Sequence, residues 1–317
     1  MSAAADPVAA RLTEGAFLLL DKPRGPSSHQ VTAWARDLLG VPTAGHAGTL
    51  DPNVSGLLWV GVGPALKLLP LVLEFPKRYV AAVTFHARVP ARELERAVAE
   101  FVGPVFQTPP VRSAVKRERR VRTIHRLVLV ETDGPRALLD VTADSGTYVR
   151  TLAVDLGDAL GVGASLTELR RVATGPFEEA ASVPMTGLAD RVAGYRSGDP
   201  GPLLEALHPL REVWQEFPTI VLKESAAAAV AHGAGLAAGG IARVARPFAA
   251  GDHVALVTGS GELVATGVAR FAAAEATKVP HGWVVEGTRV FVDSQRFPAL
   301  WRRSGSAPAS EAPPPAS

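Results

Sequence analysis

Gly45-His46-Ala47-Gly48-Thr49-Leu50-Asp51-Pro52-Asn53-Val54-Ser55-Gly56 sets three glycines and a proline within twelve residues. Glycine reaches backbone conformations closed to other residues and proline fixes its own φ, so this density of both dictates an irregular loop that presents His46 and Asp51. An Asp-Pro pair alone is a common turn starter or helix cap, so the flanking elements carry the reading. Upstream, Leu18-Leu19-Leu20 reads as a short buried strand stopped by Asp21-Lys22-Pro23 and Gly25-Pro26. Ser27 or Ser28 can cap the helix that follows, where Val31, Trp34, Ala35, Leu38 and Leu39 recur at helical spacing until Gly40. Downstream, Leu57 to Val62 is apolar and β-like, although its length does not separate a strand from a buried helix.

Farther along, Tyr79 to Phe85 alternates as a strand, and Pro90 with Glu93 to Phe101 reads as a helix. Leu127 to Glu131 and Ala137 to Ala143 look like a hairpin joined through Asp133-Gly134-Pro135. Ser145 to Tyr148 leads into an amphipathic helix with Leu152, Leu156, Ala159 and Leu160 on one side, ended by Gly161. Tyr195 to Pro202 reads as a loosened stretch before a short helical piece around Leu203 to Phe217. From Thr219 the texture changes to short strands and glycine turns, which suggests a small β-barrel and a domain boundary near Pro218. Ser304 to Ser317, rich in Ala, Pro and Ser, is expected to be disordered. The fold class is α+β.

The chain has 317 residues, 47% of them hydrophobic, which favours two domains with real cores. No apolar run is long enough to span a bilayer and Met1 to Ala10 lacks a signal-peptide core, so a soluble, cytoplasmic protein is expected. The absence of cysteine excludes disulfides and thiolate chemistry, and the 8 histidines include no pair at ligand spacing, so no metal is expected. Gly56 to Gly61 has phosphate-loop spacing, but Val62 follows where a lysine is needed, and no Gly-x-Ser-x-Gly elbow occurs. The net charge is only +2, yet Arg112, Lys116, Arg117, Arg119, Arg120, Arg122 and Arg126 stand close together against the single acid Glu118. That is either a footprint for phosphates or a solvated basic face.

The Gly45 to Gly56 loop resembles the catalytic loop of pseudouridine synthases of the tRNA pseudouridine synthase B type. The likeness continues in chain order. Leu19-Leu20-Asp21-Lys22-Pro23-Arg24-Gly25-Pro26-Ser27-Ser28 matches the segment with the family's active-site lysine, Lys77-Arg78-Tyr79 the segment with its tyrosine, and Ser145-Gly146-Thr147-Tyr148-Val149-Arg150 the segment with its arginine. Leu169-Arg170-Arg171 completes the set, and Pro109 to Arg117 resembles the mobile thumb loop of the archaeal and eukaryal branch related to dyskerin. Ser225 to Ala234, Gly239-Gly240-Ile241, Gly251 to Val254 and Ala265 to Ala269 follow the order of a PUA domain, and Phe297 to Trp301 matches the way that branch ends. Ala47, Leu66, His125 and Ala173 depart from the family pattern, away from the aspartate.

The resemblance implies an N-terminal tail over 1–15, a catalytic domain over 16–217 with a mixed or antiparallel central sheet flanked by helices, a thumb loop at about 107–125, a PUA barrel over 218–301 and a tail over 302–317. It implies an isomerase that needs no cofactor. Asp51 would be the nucleophile, with Tyr79 and Arg150 as its catalytic partners and Lys22, His46, Tyr148 and Leu169 around the substrate. A uridine must leave its stem or loop to reach such a carboxylate, at about a few kcal/mol, and the pocket has to offset that. Arg112, Lys116, Arg117, Arg119, Arg120, Arg122, Arg170, Arg171, Gly233 and Gly240 would contact RNA, although a helix-to-strand turn accounts equally well for the two glycines. Implied partners are tRNA, rRNA, H/ACA guide RNA and small H/ACA particle proteins, without membrane or nucleotide cofactor. A stand-alone tRNA T-loop enzyme and a non-catalytic RNA scaffold remain open as alternatives.

Overall fold

The computed structural model describes residues 6–108 and 118–297, and the chain divides into two compact units, Met1–Val213 and Trp214–Ser317. The stretch expected as a tail begins with Asp6, whose carboxylate accepts from the backbone of Val8 and Ala9 and caps helix α1 (Pro7–Glu14). Val8 on that helix is fully buried, so from Asp6 onward this stretch packs on the core.

Strand β1 (Ala16–Lys22) is buried almost throughout, as a strand covered on both faces must be. It leads into α2 (Ser28–Leu39), where Ser27 and Gln30 form a reciprocal capping box and Gly40 ends the helix at φ +66°. Next come β2 (Ala44–Ala47), β3 (Ser55–Val62), α3 (Leu69–Glu74), β4 (Lys77–Phe85) and α4 (Ala91–Glu100). Then follow β5 (Gly103–Gln107), β6 (Arg120–Asp133), β7 (Arg136–Ala143), α5 (Val149–Ala159) and β8 (Ala164–Thr174). The ambiguous apolar run after the loop is therefore a strand. Two-residue strands β9 (Phe177–Glu178), β10 (Val183–Pro184) and β11 (His208–Pro209) punctuate α6 (Met185–Arg196), α7 (Gly201–Ala206) and α8 (Leu210–Trp214).

These strands form one mixed sheet in the order β10-β1-β3-β8-β4-β7-β6-β5, with β2, β9 and β11 attached to β3, β8 and β1. The sheet carries two apolar clusters. One joins Leu18 and Leu20 of β1 and Leu58 and Val60 of β3 to α2, α6 and α7; the other joins Ala81 and Val83 of β4 and Leu139 and Val141 of β7 to α4 and α5. Tyr79 and Leu169 pack against both, so the seam of the two cores runs where β8 meets its neighbours. In the first half, Trp59 is fully buried and meets Phe17 and Phe177 edge-to-face, each contact adding about 0.5–1.5 kcal/mol beyond area burial.

The hairpin read around residues 133–135 extends well beyond its expected start. Strand β6 begins at Arg120 and pairs antiparallel with β5, Gln107 opposite Arg120 and Val105 opposite Arg122. The expected thumb loop at 107–125 is thus bounded by strands, and Pro109 to Arg117, with Arg112 and Lys116 among them, lie outside the described residues. The stretch expected to be loose, Tyr195 to Pro202, instead closes α6 by bonds from Ser197 N–H to the carbonyls of Ala193 and Gly194 before α7 begins.

The second unit consists of β12 (Thr219–Leu222), α9 (Glu224–Ala231), β13 (Leu236–Ala237), β14 (Ile241–Val244), β15 (His253–Val257), β16 (Leu263–Ala269), α10 (Ala273–Ala276) and β17 (Trp283–Val290). Its barrel-like sheet runs β13-β17-β16-β15-β12-β14 around Ile220, Val254, Leu256, Val264 and Val284. Residues from Pro298 on, including Trp301 and the Ala/Pro/Ser tail, lie outside the described residues.

Candidate active site

Asp51 sits at the tip of the loop between β2 and β3, and the backbone on each side of it is pinned. On one side the buried Ser28 hydroxyl both accepts from Leu50 N–H, at 2.8 Å, and donates to Leu50 C=O, at 2.9 Å. On the other, Pro52 C=O accepts from Gly25 N–H at 2.8 Å and from Lys22 Nζ at 3.4 Å. The loop rejoins the sheet at Gly56, whose φ is +101° and where an added Cβ would lie 2.2 Å from Arg171 C=O, so no side chain fits there. Gly56 thus has a concrete cause: β3 must run against β8.

The tip opens into a cleft of about 420 Å³ lined by Asp51 and Arg150, by Leu166, Thr167 and Leu169 of β8, and by a second charge pair, Arg24 and Glu168. That volume lies in the range of a small-molecule pocket. Arg150 donates from Nη2 to Asp51 Oδ2, and the two side chains are 46% and 52% exposed. Arg150 lies in the first turn of α5. No side chain of that helix caps its start; the amide of buried Gln107 does, accepting from Tyr148 N–H at 2.8 Å and donating to Tyr148 C=O at 3.1 Å. Sequence reading missed Gln107, whose role depends on β5 lying next to the start of α5.

Beneath the loop is a layer of buried cations. Arg171 is 1% exposed. It donates from Nε to Leu57 C=O at 2.7 Å and from Nη2 to Gly48 C=O at 2.8 Å. Burial pulls its pKa down, and the Tyr79 hydroxyl, which accepts from the same guanidinium, opposes the shift. Lys22 is fully buried and gives its ammonium to the carbonyls of Pro23 and Pro26, each at 2.9 Å; burial lowers its pKa and Asp51 opposes. Lys77 donates to the carbonyls of Leu73 and Phe75, each at 2.6 Å, and to Ser145 Oγ at 3.3 Å.

Of the expected site residues, Asp51, Arg150 and Leu169 meet in the cleft. Tyr79 stands next to it at the seam of the cores, opposite Arg171 across a β-bulge where Arg78 pairs with Ala173 and Tyr79 with Arg171. Tyr148 contributes its backbone to the start of α5. His46 is half-buried, its Nδ1 3.1 Å from Thr32 Oγ1 and its ring edge-on to His29; burial first, then His29 and Arg171, lower its pKa. Lys22 lies buried under the loop, where its charge faces Asp51.

The expected RNA contacts divide as well. Arg171 is corrected because its guanidinium is buried and spent on the protein's own carbonyls. Arg170 is held by Asp21 at 3.0 Å and Glu179 at 2.6 Å. Arg119 lies over the exposed Phe106 ring at 4.5 Å, Arg120 is exposed, and Arg122 packs at Gly146. Arg126 joins Arg78 on the buried Asp140 carboxylate, whose pKa the Arg78 hydrogen bond lowers. In the second unit Gly233 is exposed at φ +88°, whereas at Gly240 a Cβ would meet Ala226 and Leu236 at 2.7 and 2.8 Å. Packing against α9 therefore gives Gly240 a structural reason to be glycine. Among the described residues no group of three or more His, Cys, Asp or Glu could hold a metal ion, and no helix is long and apolar enough to cross a membrane.

Comparison with known proteins covers this whole frame. Residues 36–149 match the N-terminal domain of the TruB family pseudouridylate synthases, residues 150–214 the tRNA pseudouridylate synthase B C-terminal domain, and residues 218–291 the PUA domain. A probable tRNA pseudouridine synthase B of Methanothermobacter thermautotrophicus is 43% identical over 284 residues, covering 89% of this chain and 88% of that protein. One from Pyrobaculum calidifontis is 44% identical over 290 residues, covering 91% and 87%. Among solved structures, a Cbf5-Nop10-Gar1 complex superimposes with a TM-score of 0.87 at 38% identity, covering 93% of this chain and 90% of that one. An H/ACA RNP bound to a substrate RNA containing 2'-deoxyuridine does so with a TM-score of 0.83 at 36% identity, covering 93% and 90%.

Proposed function

The chain belongs to the TruB family of pseudouridylate synthases, and from that premise we propose that Asp51 is the nucleophile with which it turns uridine into pseudouridine in RNA. The observation that carries the assignment is the Asp51–Arg150 ion pair at the mouth of the cleft, set on a loop pinned at Leu50 and Pro52. The isomerisation breaks the N1–C1' bond, turns the uracil, joins C5 to C1', removes the proton from C5 and leaves one on N1, so neither oxidant nor cofactor is needed. Asp51 attacks the flipped nucleotide and the bond it forms breaks again before the product leaves, restoring the carboxylate; Leu169 supplies the apolar surface against which the uracil turns, and Arg150 holds the carboxylate in line. Tyr79 takes the C5 proton as its phenolate and becomes the neutral phenol, the Arg171 guanidinium bonded to that oxygen being placed to stabilise the phenolate before the transfer.

The substrates proposed are the tRNA T-loop uridine, supported by the names of the relatives, and uridines selected by an H/ACA guide together with small particle proteins, supported by the matching complexes. The second unit would hold the end of the guide or the tRNA acceptor, and the place of action would be the cytoplasm. The test is to incubate the purified chain with unmodified tRNA transcripts, with and without a guide and the small partner proteins, and to map pseudouridine by chemical-adduct sequencing. Wild-type product that falls by at least about a thousandfold in Asp51→Ala supports the assignment. RNA binding without product under any combination would leave a scaffold in its place.

A further inference from the structure

The cleft holds two ion pairs, and the mechanism uses only one. The second, Arg24 Nη1 to Glu168 Oε1 at 2.8 Å, spans residues from different elements that line the same opening as Asp51. Arg24 is fixed at its backbone more firmly than its exposure suggests. Its turn, Pro23 to Pro26, is tied by Gly25 N–H to Pro52 C=O and gathered by the buried Lys22 Nζ, which binds the carbonyls of Pro23, Pro26 and Pro52. The backbone that carries Arg24 is therefore tied to the Asp51 loop, one buried ammonium holding both. Glu168 projects from β8 next to Leu169, where the strand is irregular: Ala82 pairs with Glu168 and Val83 with Leu166, leaving Thr167 extra.

An ion pair whose side chains are 52% and 64% exposed is weakly held. A guanidinium meets a phosphate through two parallel hydrogen bonds and holds it more firmly. A nucleotide flipped onto Asp51 brings a phosphate on each side of its ribose to the rim of this cleft. We infer that Arg24 binds a backbone phosphate of the target nucleotide and that Glu168 is its resting partner, exchanged for the RNA as the uridine enters. Glu168 keeps the empty rim neutral and makes entry of the strand compete with an internal bond, so it sets the affinity of the cleft for RNA. This rests on the reading of the cleft as a uridine site.

The experiment uses the full chain on whichever RNA the wild-type protein modifies, and reads KM, kcat and the salt dependence of binding. Arg24→Ala raises KM about tenfold and lowers the slope of log affinity against log salt by about 0.7, one phosphate of a single strand. Glu168→Gln moves KM the opposite way, and that gain disappears in the double variant. Unchanged KM and salt slope in Arg24→Ala, or a Glu168→Gln effect that survives without Arg24, overturns the inference while wild-type activity stands. Absence of product from the wild-type chain on every RNA instead overturns the uridine site itself.

Discussion

Lys22, Lys77, Arg171, Arg24 and Arg150 divide into a floor and a mouth. Lys22, Lys77 and Arg171 are 0%, 4% and 1% exposed. Arg24 and Arg150 keep 52% and 46% of their side chains open. The floor gives its hydrogen bonds to the protein's own backbone carbonyls and to the hydroxyls of Ser145 and Tyr79; the mouth gives them to carboxylates, which a substrate can replace or compete with. A buried cation is tolerated only where its donors are satisfied, so the floor fixes geometry. An exposed one exchanges partners at little cost, so the mouth handles the ligand.

The sharpest way to break this division is Arg171→Met. It leaves the carbonyls of Gly48 and Leu57 and the Tyr79 hydroxyl without a buried donor, and the expected loss is about 2–4 kcal/mol of stability in denaturant unfolding. A loss below about 1 kcal/mol, within the range of surface substitutions, would show that the floor does not hold the loop. Arg150→Ala should do the reverse. Stability stays within about 0.5 kcal/mol, as for an exposed side chain, while the single-turnover rate of pseudouridine formation falls about a hundredfold through loss of a positioned charge. Equal damage to both properties would merge floor and mouth into one unit.

The sequence shows the loop but not the division beneath it. Ser27 and Gly40 act through residues a few positions away, and their reading needs no tertiary contact. Arg171 bonds Leu57 across 114 positions, and only the pairing of β3 with β8 makes it a floor residue. Strand β8 itself has little alternation, with half-exposed residues on both faces where the cleft opens, so periodicity does not reveal it and Leu169-Arg170-Arg171 reads as a basic surface. The same limit hides Gln107, and Glu168 as the partner of Arg24. At Gly240 the turn chemistry is visible in the sequence, while its cause, the approach of Ala226, is not.

Lys77 allows the finest test, because burial pushes its pKa down to about 7, Arg171 adding to the push and Glu74 opposing it. Unfolding returns the amine to about 10.4. Between those values the unfolded chain binds more protons, so stability should rise with pH. The cost of burying the ammonium is complete below about pH 7 and vanishes above the unfolded value. Lys77→Met has no proton to lose, so the stability of the wild-type chain relative to this variant should increase from pH 7 to 9 by at most about 1.4 kcal/mol per unit, measured by denaturant unfolding at each pH. A flat difference would mean that the carbonyls of Leu73 and Phe75 outweigh burial and keep the charge in place, so that the floor carries all its protons throughout the range in which the mouth works.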